Sequence, residues 1–148
     1  MFWRGLFSRH EVAFYKMKNQ QQKIEKVIWV KLKCGEDLLK RISGLCKENN
    51  VRAGYISVIG ALEKAKFSYY NQQEKQYHEI SKEEPVAIIS CLGSVSIKDG
   101  EPFIHAHIAV SDSKGAVFGG HLNEGCLVFT GECFIFKFDG EIIRDEGV

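Results

Sequence analysis

The sequence has little proline, no closely spaced cysteine pair, no surplus of charge and no long apolar run, and each shortage removes a class of protein. Two prolines in 148 residues leave few obstacles to regular elements, because each proline fixes φ and removes a backbone donor. Twenty Lys and Arg against nineteen Asp and Glu give a net charge of +1. A polyanion binder draws most of its affinity from many basic side chains neutralising phosphates, so DNA binding would need a local patch. Lys16, Lys18, Lys23 and Lys26 could form one in an oligomer. No stretch is apolar enough for a transmembrane segment. Cys34, Cys46, Cys91, Cys126 and Cys133 are odd in number and contain no C-x-x-C pair. They read as small buried hydrophobes in a cytoplasmic protein.

What remains is an ordinary globular composition, 45% hydrophobic and 26% charged, enough for one domain. At the N-terminus Phe2, Trp3, Leu6, Phe7, Ala13, Phe14 and Met17 recur at helical spacing among Arg9, Lys16 and Lys18. Arg4 and Arg9 interrupt any signal-peptide core. Residues 1–24 therefore read as an extension ahead of a domain over 25–148. That extension is an amphipathic arm, a poorly packed segment, a helix packed on the body, or sequence upstream of a true start at Met17.

Val27 to Leu32 alternates as a strand should. Gly35, Glu36 and Asp37 then open a helix over about 36–49, whose Leu38, Leu39, Ile42, Leu45 and Cys46 share a stripe and whose first turn is acidic. From Val51 onward the pattern is β. Tyr55 to Leu62 reads as a buried strand interrupted at Gly60, and Ala65 to Tyr69 as a strand with one wet face. Tyr77 to Ile80 returns after a polar turn, and the run from Val86 to Ile97 turns at Lys98-Asp99-Gly100 into Phe103 to Val110. Cys126 to Phe138 is a long strand, with a short final one after Asp139-Gly140. Tight turns between strands imply a compact α+β domain with one helix packed on an antiparallel sheet.

The pointed chemistry lies in Pro102 to Val110. Side chains alternate along a strand, so His105 and His107 share one face while Ile104, Ala106, Ile108 and Val110 share the other. His121 follows a short extended piece, Ala116 to Phe118, and the doublet Gly119-Gly120, which permits unusual dihedrals and close approach. If that piece returns beside the first strand, three imidazoles converge. Three such ligands with an open fourth position describe a divalent-metal site of the zinc type, to which a small-molecule ligand could bind. Glu132 falls on the face of Val128, Thr130 and Phe134. There it would serve as a base, as an orienting partner for a ligand histidine, or as an ordinary solvated glutamate. His10 and His78 lie in polar or terminal segments.

The ordered motifs GEDLL (35–39), RAGYISVIGAL (52–62), YYN (69–71), DGEPFIHAHIAV (99–110) and VFGGHLNEG (117–125) resemble the plant-and-prokaryote conserved (PPC) domain family. The likeness covers about Val27 to Phe138. It implies an antiparallel α+β domain assembled as a homotrimer, with metal, commonly zinc, on the histidines matching His105, His107 and His121. Plant members of the family carry Arg-Gly-Arg-Pro AT-hooks for DNA contact, and no such core occurs here. The fold is also similar to that of acetolactate decarboxylase, a metalloenzyme. The resemblance therefore implies a DNA-associated or regulatory protein. The open histidine site admits a lyase or hydrolase acting on a small oxygenated metabolite, and the trimer admits a protein-interaction scaffold.

Overall fold

A computed structural model describes residues 19–144. The expected amphipathic arm falls in 1–18, outside the described residues. The elements are β1 (Ile24–Leu32), α1 (Leu38–Glu48), β2 (Gly54–Asn71), β3 (Gln76–Lys82), β4 (Val86–Lys98), β5 (Glu101–Ser111), β6 (Val117–Leu122) and β7 (Leu127–Phe138). All strand pairs are antiparallel, in the order β1-β7-β2-β4-β5-β6, with β3 attached to β2. The chain is thus the α+β domain its pattern predicts. No helix among the described residues is long and apolar enough to cross a membrane.

Leu38, Ile42, Leu45 and Cys46 of α1 are buried, which is the inward stripe of an amphipathic helix. The helix starts slightly later than expected, and its first turn holds no acid. Asp37 is instead the N-cap, accepting from Lys40 N at 3.1 Å, a bond typically worth about 1 kcal/mol. Its second oxygen accepts from Gly125 N at 2.7 Å. Leu38 N also donates to Cys126 O at 2.9 Å, so the start of the helix is fixed to the turn between β6 and β7.

The two strands expected over Tyr55 to Leu62 and Ala65 to Tyr69 are one, β2, of 18 residues. At Gly60 φ is +150°, and an added Cβ would run into the backbone of Thr130 and Gly131. The register against both β4 and β7 slips between Val58 and Leu62, which is a bulge, and a bulge bends its strand. The first half of β2 consequently pairs with β4 and β7. The second half pairs with β3 and, at Phe67 and Ser68, with β6. That last pairing closes a ring of β2, β4, β5 and β6. Ile56, Val58, Leu62, Phe67, Val95 and Val110 are buried in the core, each contributing roughly 1.5–3 kcal/mol. The expected hairpin forms between β4 and β5 with positive φ at Asp99 and Gly100, as a type I′ turn requires. The expected final strand does not form among the described residues: after Gly140 they show an isolated bridge joining Ile143 to Ile97.

Candidate metal centre

Ala106, Ile108 and Val110 point into the core, so the alternation of β5 turns His105 and His107 outward. His121 on β6 stands directly opposite His107 across one ladder and opposite Ser68 of β2 across the other. The ring centroids are 4.3 Å apart for His107–His121, 5.3 Å for His105–His107 and 5.5 Å for His105–His121. One ring nitrogen from each lies within 4.8 Å of the other two. Nitrogens around a tetrahedral ion at 2.0–2.1 Å sit roughly 3.4 Å apart. Modest side-chain rotations would therefore bring the set onto one ion, and the residues fit a divalent metal.

The glycine doublet acts through space and not through dihedrals. Neither Gly119 nor Gly120 has positive φ; both are extended strand. A Cβ on Gly119 would strike Ile108 O and one on Gly120 would strike Ser68 O. The doublet lets β6 wedge between β5 and β2, which carries His121 to the pair.

Burial holds the His105 imidazole below the ordinary pKa of 6.5, helped by Arg144 and by the other two histidines. Burial, then His107, lowers His121 as well. Both shifts favour the neutral imidazole, the form that donates to a metal.

The surroundings include residues that sequence periodicity does not single out. Tyr77 of β3 meets the His121 ring edge-on at 5.2 Å and packs on Tyr70 at 4.9 Å. Asn123 donates to the hydroxyl of Ser68, the residue paired with His121. Arg144 places Nη2 3.4 Å from His105 Nδ1, with its guanidinium 4.8 Å from the Phe103 ring centre. These side chains border an open groove of about 910 Å³ that includes His105 and His121. A separate apolar hollow of about 470 Å³, between Leu62, Val86 and Phe129, contains none of the histidines. Only Tyr77 had a local cue, being an aromatic on a predicted return strand. Arg144 had none, since a chain reversal and a single bridge bring it there.

Glu132 is not brought to the histidines. It lies on β7 opposite Lys31 and Ile59, with β2 and β4 between it and β5, roughly 14 Å away at the usual strand spacing. Its expected face is also revised. A register shift around Phe129 buries Val128 completely, while Glu132 is half-exposed and Phe134 exposed on the outer side. Outside the groove, His78 pairs with Glu74 at 2.6 Å. His10 lies outside the described residues.

Comparison with known proteins agrees with the resemblance. The Plants and Prokaryotes Conserved (PCC) domain matches residues 19–139. A metal-containing protein of Archaeoglobus fulgidus is 36% identical, with 85% of this chain and 89% of that one covered at a TM-score of 0.81. A plant- and prokaryote-conserved protein of Pyrococcus horikoshii is 35% identical, covering 89% and 92% at 0.83. A Ralstonia eutropha protein described as a candidate DNA-binding protein is 28% identical, covering 76% and 78% at 0.67. Among curated proteins, the bifunctional protein GlmU of a Synechococcus strain is 32% identical over 97 residues, 65% of this chain. The chain spans 14% of that relative's length.

Proposed function

The chain belongs to the Plants and Prokaryotes Conserved domain family, and from that premise we propose that it is an oligomeric, DNA-associated regulatory protein whose three histidines hold a divalent ion as a ligand-sensing element. The observation that carries this reading is the convergence of one nitrogen each from His105, His107 and His121 within 4.8 Å. Three converging imidazoles, two of them lining an open groove, suit zinc with a fourth position left for a ligand. When bound, the ion supplies a Lewis acid that polarises a ligand oxygen. The metal described in the Archaeoglobus relative supports the assignment. The DNA-binding description of the Ralstonia relative supports the regulatory half, and the net charge of +1 sets its scale: weak and strongly salt-dependent. Four buried thiols and one exposed one, none in a disulfide, favour the cytoplasm. Residues 1–24 are taken as an extension of the domain over 25–148.

We assign the oligomer as a homotrimer. The outer face of the sheet leaves Trp29 55%, Ile59 53%, Phe129 59%, Leu92 45% and Phe134 38% exposed. Apolar side chains gathered on one face normally meet a partner. A metal-dependent lyase or hydrolase acting on a small oxygenated metabolite is the second reading, favoured by the groove that opens onto His105 and His121. Glu132 is poorly placed as its base.

Metal analysis combined with a DNA titration tests the proposal. About one zinc-type ion per chain is expected, lost in a His105→Ala/His107→Ala variant, with DNA affinity that changes on metal loading. A chain that takes up no divalent ion after zinc supplementation overturns the site. Metal-loaded protein that leaves DNA untouched at low salt but turns over a carbonyl substrate selects the enzyme.

A further inference from the structure

The groove beside the histidines contains one cation that the rest of the site does not use. Lys66 pairs with Glu79 at 3.0 Å, and Glu124 on the rim pairs with Lys40 at 3.3 Å. Among the described residues Arg144 has no carboxylate partner. Its position is nevertheless held from several directions. Arg144 N donates to Ile97 O at 2.8 Å and Ile97 N to Ile142 O at 2.8 Å. Two nitrogens of the Arg52 guanidinium clasp the Glu141 carboxylate at 2.6 and 2.8 Å. The guanidinium carbon of Arg144 lies 4.8 Å from the Phe103 ring centre, a cation–π contact that helps hold the side chain beside the groove. Arg144 lies just beyond residues 19–139, the part matched to the family.

We propose that Arg144 and the histidine cluster together form a two-point site for a small organic carboxylate, one oxygen taken at the histidine-held ion and the other by the guanidinium. Nη2 is 3.4 Å from Nδ1 of His105, which places the guanidinium beside the histidine cluster. The planar fork of an arginine matches a carboxylate in two parallel hydrogen bonds. Carboxylate is favoured over phosphate by the charge available, a single groove cation with no carboxylate partner among the described residues, and by the walls of the groove. Leu39, Tyr70, Tyr77, Phe103 and Ile104 offer apolar and aromatic surface to a carbon body. This inference rests on the metal reading above and names the ligand class for the same site.

The test uses the full chain loaded with cobalt(II), whose visible spectrum reports changes in coordination. Metal content is measured first, then acetate, benzoate and inorganic phosphate are titrated into wild type, Arg144→Gln and Arg144→Lys. Benzoate should perturb the spectrum at lower concentration than acetate. Arg144→Gln should weaken benzoate roughly tenfold or more, as loss of a hydrogen bond to a charged group does, with metal content and melting temperature unchanged. Arg144→Lys should fall between. Equal benzoate affinity in Arg144→Gln overturns the proposal, and so does phosphate binding tighter than benzoate with the same dependence on Arg144. Metal-loaded protein that takes no carboxylate sinks this inference alone, whereas a chain that loads no metal sinks the metal reading with it.

Discussion

His107 and His121 face each other directly across the β5–β6 ladder, with ring centroids 4.3 Å apart. Leu92 of β4 is opposite His107, Ser57 of β2 opposite Leu92, Phe134 of β7 opposite Ser57 and Trp29 of β1 opposite Phe134. The histidine site is therefore one end of a cross-strand row whose other end is an exposed apolar surface. The histidines and the exposed Leu92, Phe134 and Trp29 share one face of one sheet.

The opposed pair predicts that metal binding needs His121. His121→Ala should lower metal affinity by more than the roughly 10–100-fold lost when an outer partner of a ligand is removed. Competition with a chromogenic chelator measures this. Retention of wild-type affinity would show that His105 and His107 bind without it.

The two lowered imidazoles couple metal-free stability to pH. Below 6.5, the ordinary imidazole pKa, the unfolded chain takes up protons at His105 and His121 that the folded chain does not. Stability should therefore fall as pH drops through that value, and stop falling once the folded-state pKa values are passed. Urea midpoints in the presence of a chelator, from neutral pH down to about pH 5, read the slope. A His105→Gln/His121→Gln variant should flatten it.

Gly120→Ala tests the wedge. Its Cβ would collide with Ser68 O, which is backbone and cannot swing aside, so the cost is about 1–3 kcal/mol. Displacement of β6 should also weaken metal binding. Denaturant unfolding and metal analysis of the same sample separate the two effects, and a variant that loses neither would show the strand has room.

Thiol chemistry should be confined to one position. Burial pushes Cys46 and Cys91 up to about 12 and Cys133 to about 11, and also raises Cys126. A thiolate-selective reagent should therefore label Cys34 alone in the native state. It should do so slowly, because a hydrogen bond to Glu63 raises that thiol too. Mass spectrometry of native and unfolded samples counts the labels.

The apolar face should hold the oligomer together. Phe134→Glu puts a charge opposite Trp29 on that face without touching the core. The expected outcome in light scattering is a shift from trimer to monomer at micromolar concentration, with the circular dichroism of the fold kept. A wild-type chain that is already monomeric would remove the homotrimer.

Local chemistry was legible where a residue's role depends on its near neighbours. The stripe of Leu38, Ile42 and Leu45 gave the helix, Asp99-Gly100 gave the hairpin, and the period of two in β5 gave the outward pair His105 and His107. The same reasoning failed where a distant strand decides. Gly60 looked like a break but sits at a bulge against β4, where the backbone at Thr130 and Gly131 leaves no space for a side chain. Glu132 looked aligned with Val128, but the shift at Phe129 changes the phase of β7.

Adjacent residues carry the α+β class, the helix over Leu38–Glu48 and the three histidines as one candidate ligand set, because alternation and capping are local patterns. The tertiary structure alone decided that β6 closes on β2, that Glu132 stays strands away from the histidines, and that Arg144 meets His105. Those contacts depend on the bend of β2 and on the bridge from Ile143 to Ile97, which join segments far apart in the chain and leave no periodic trace in it.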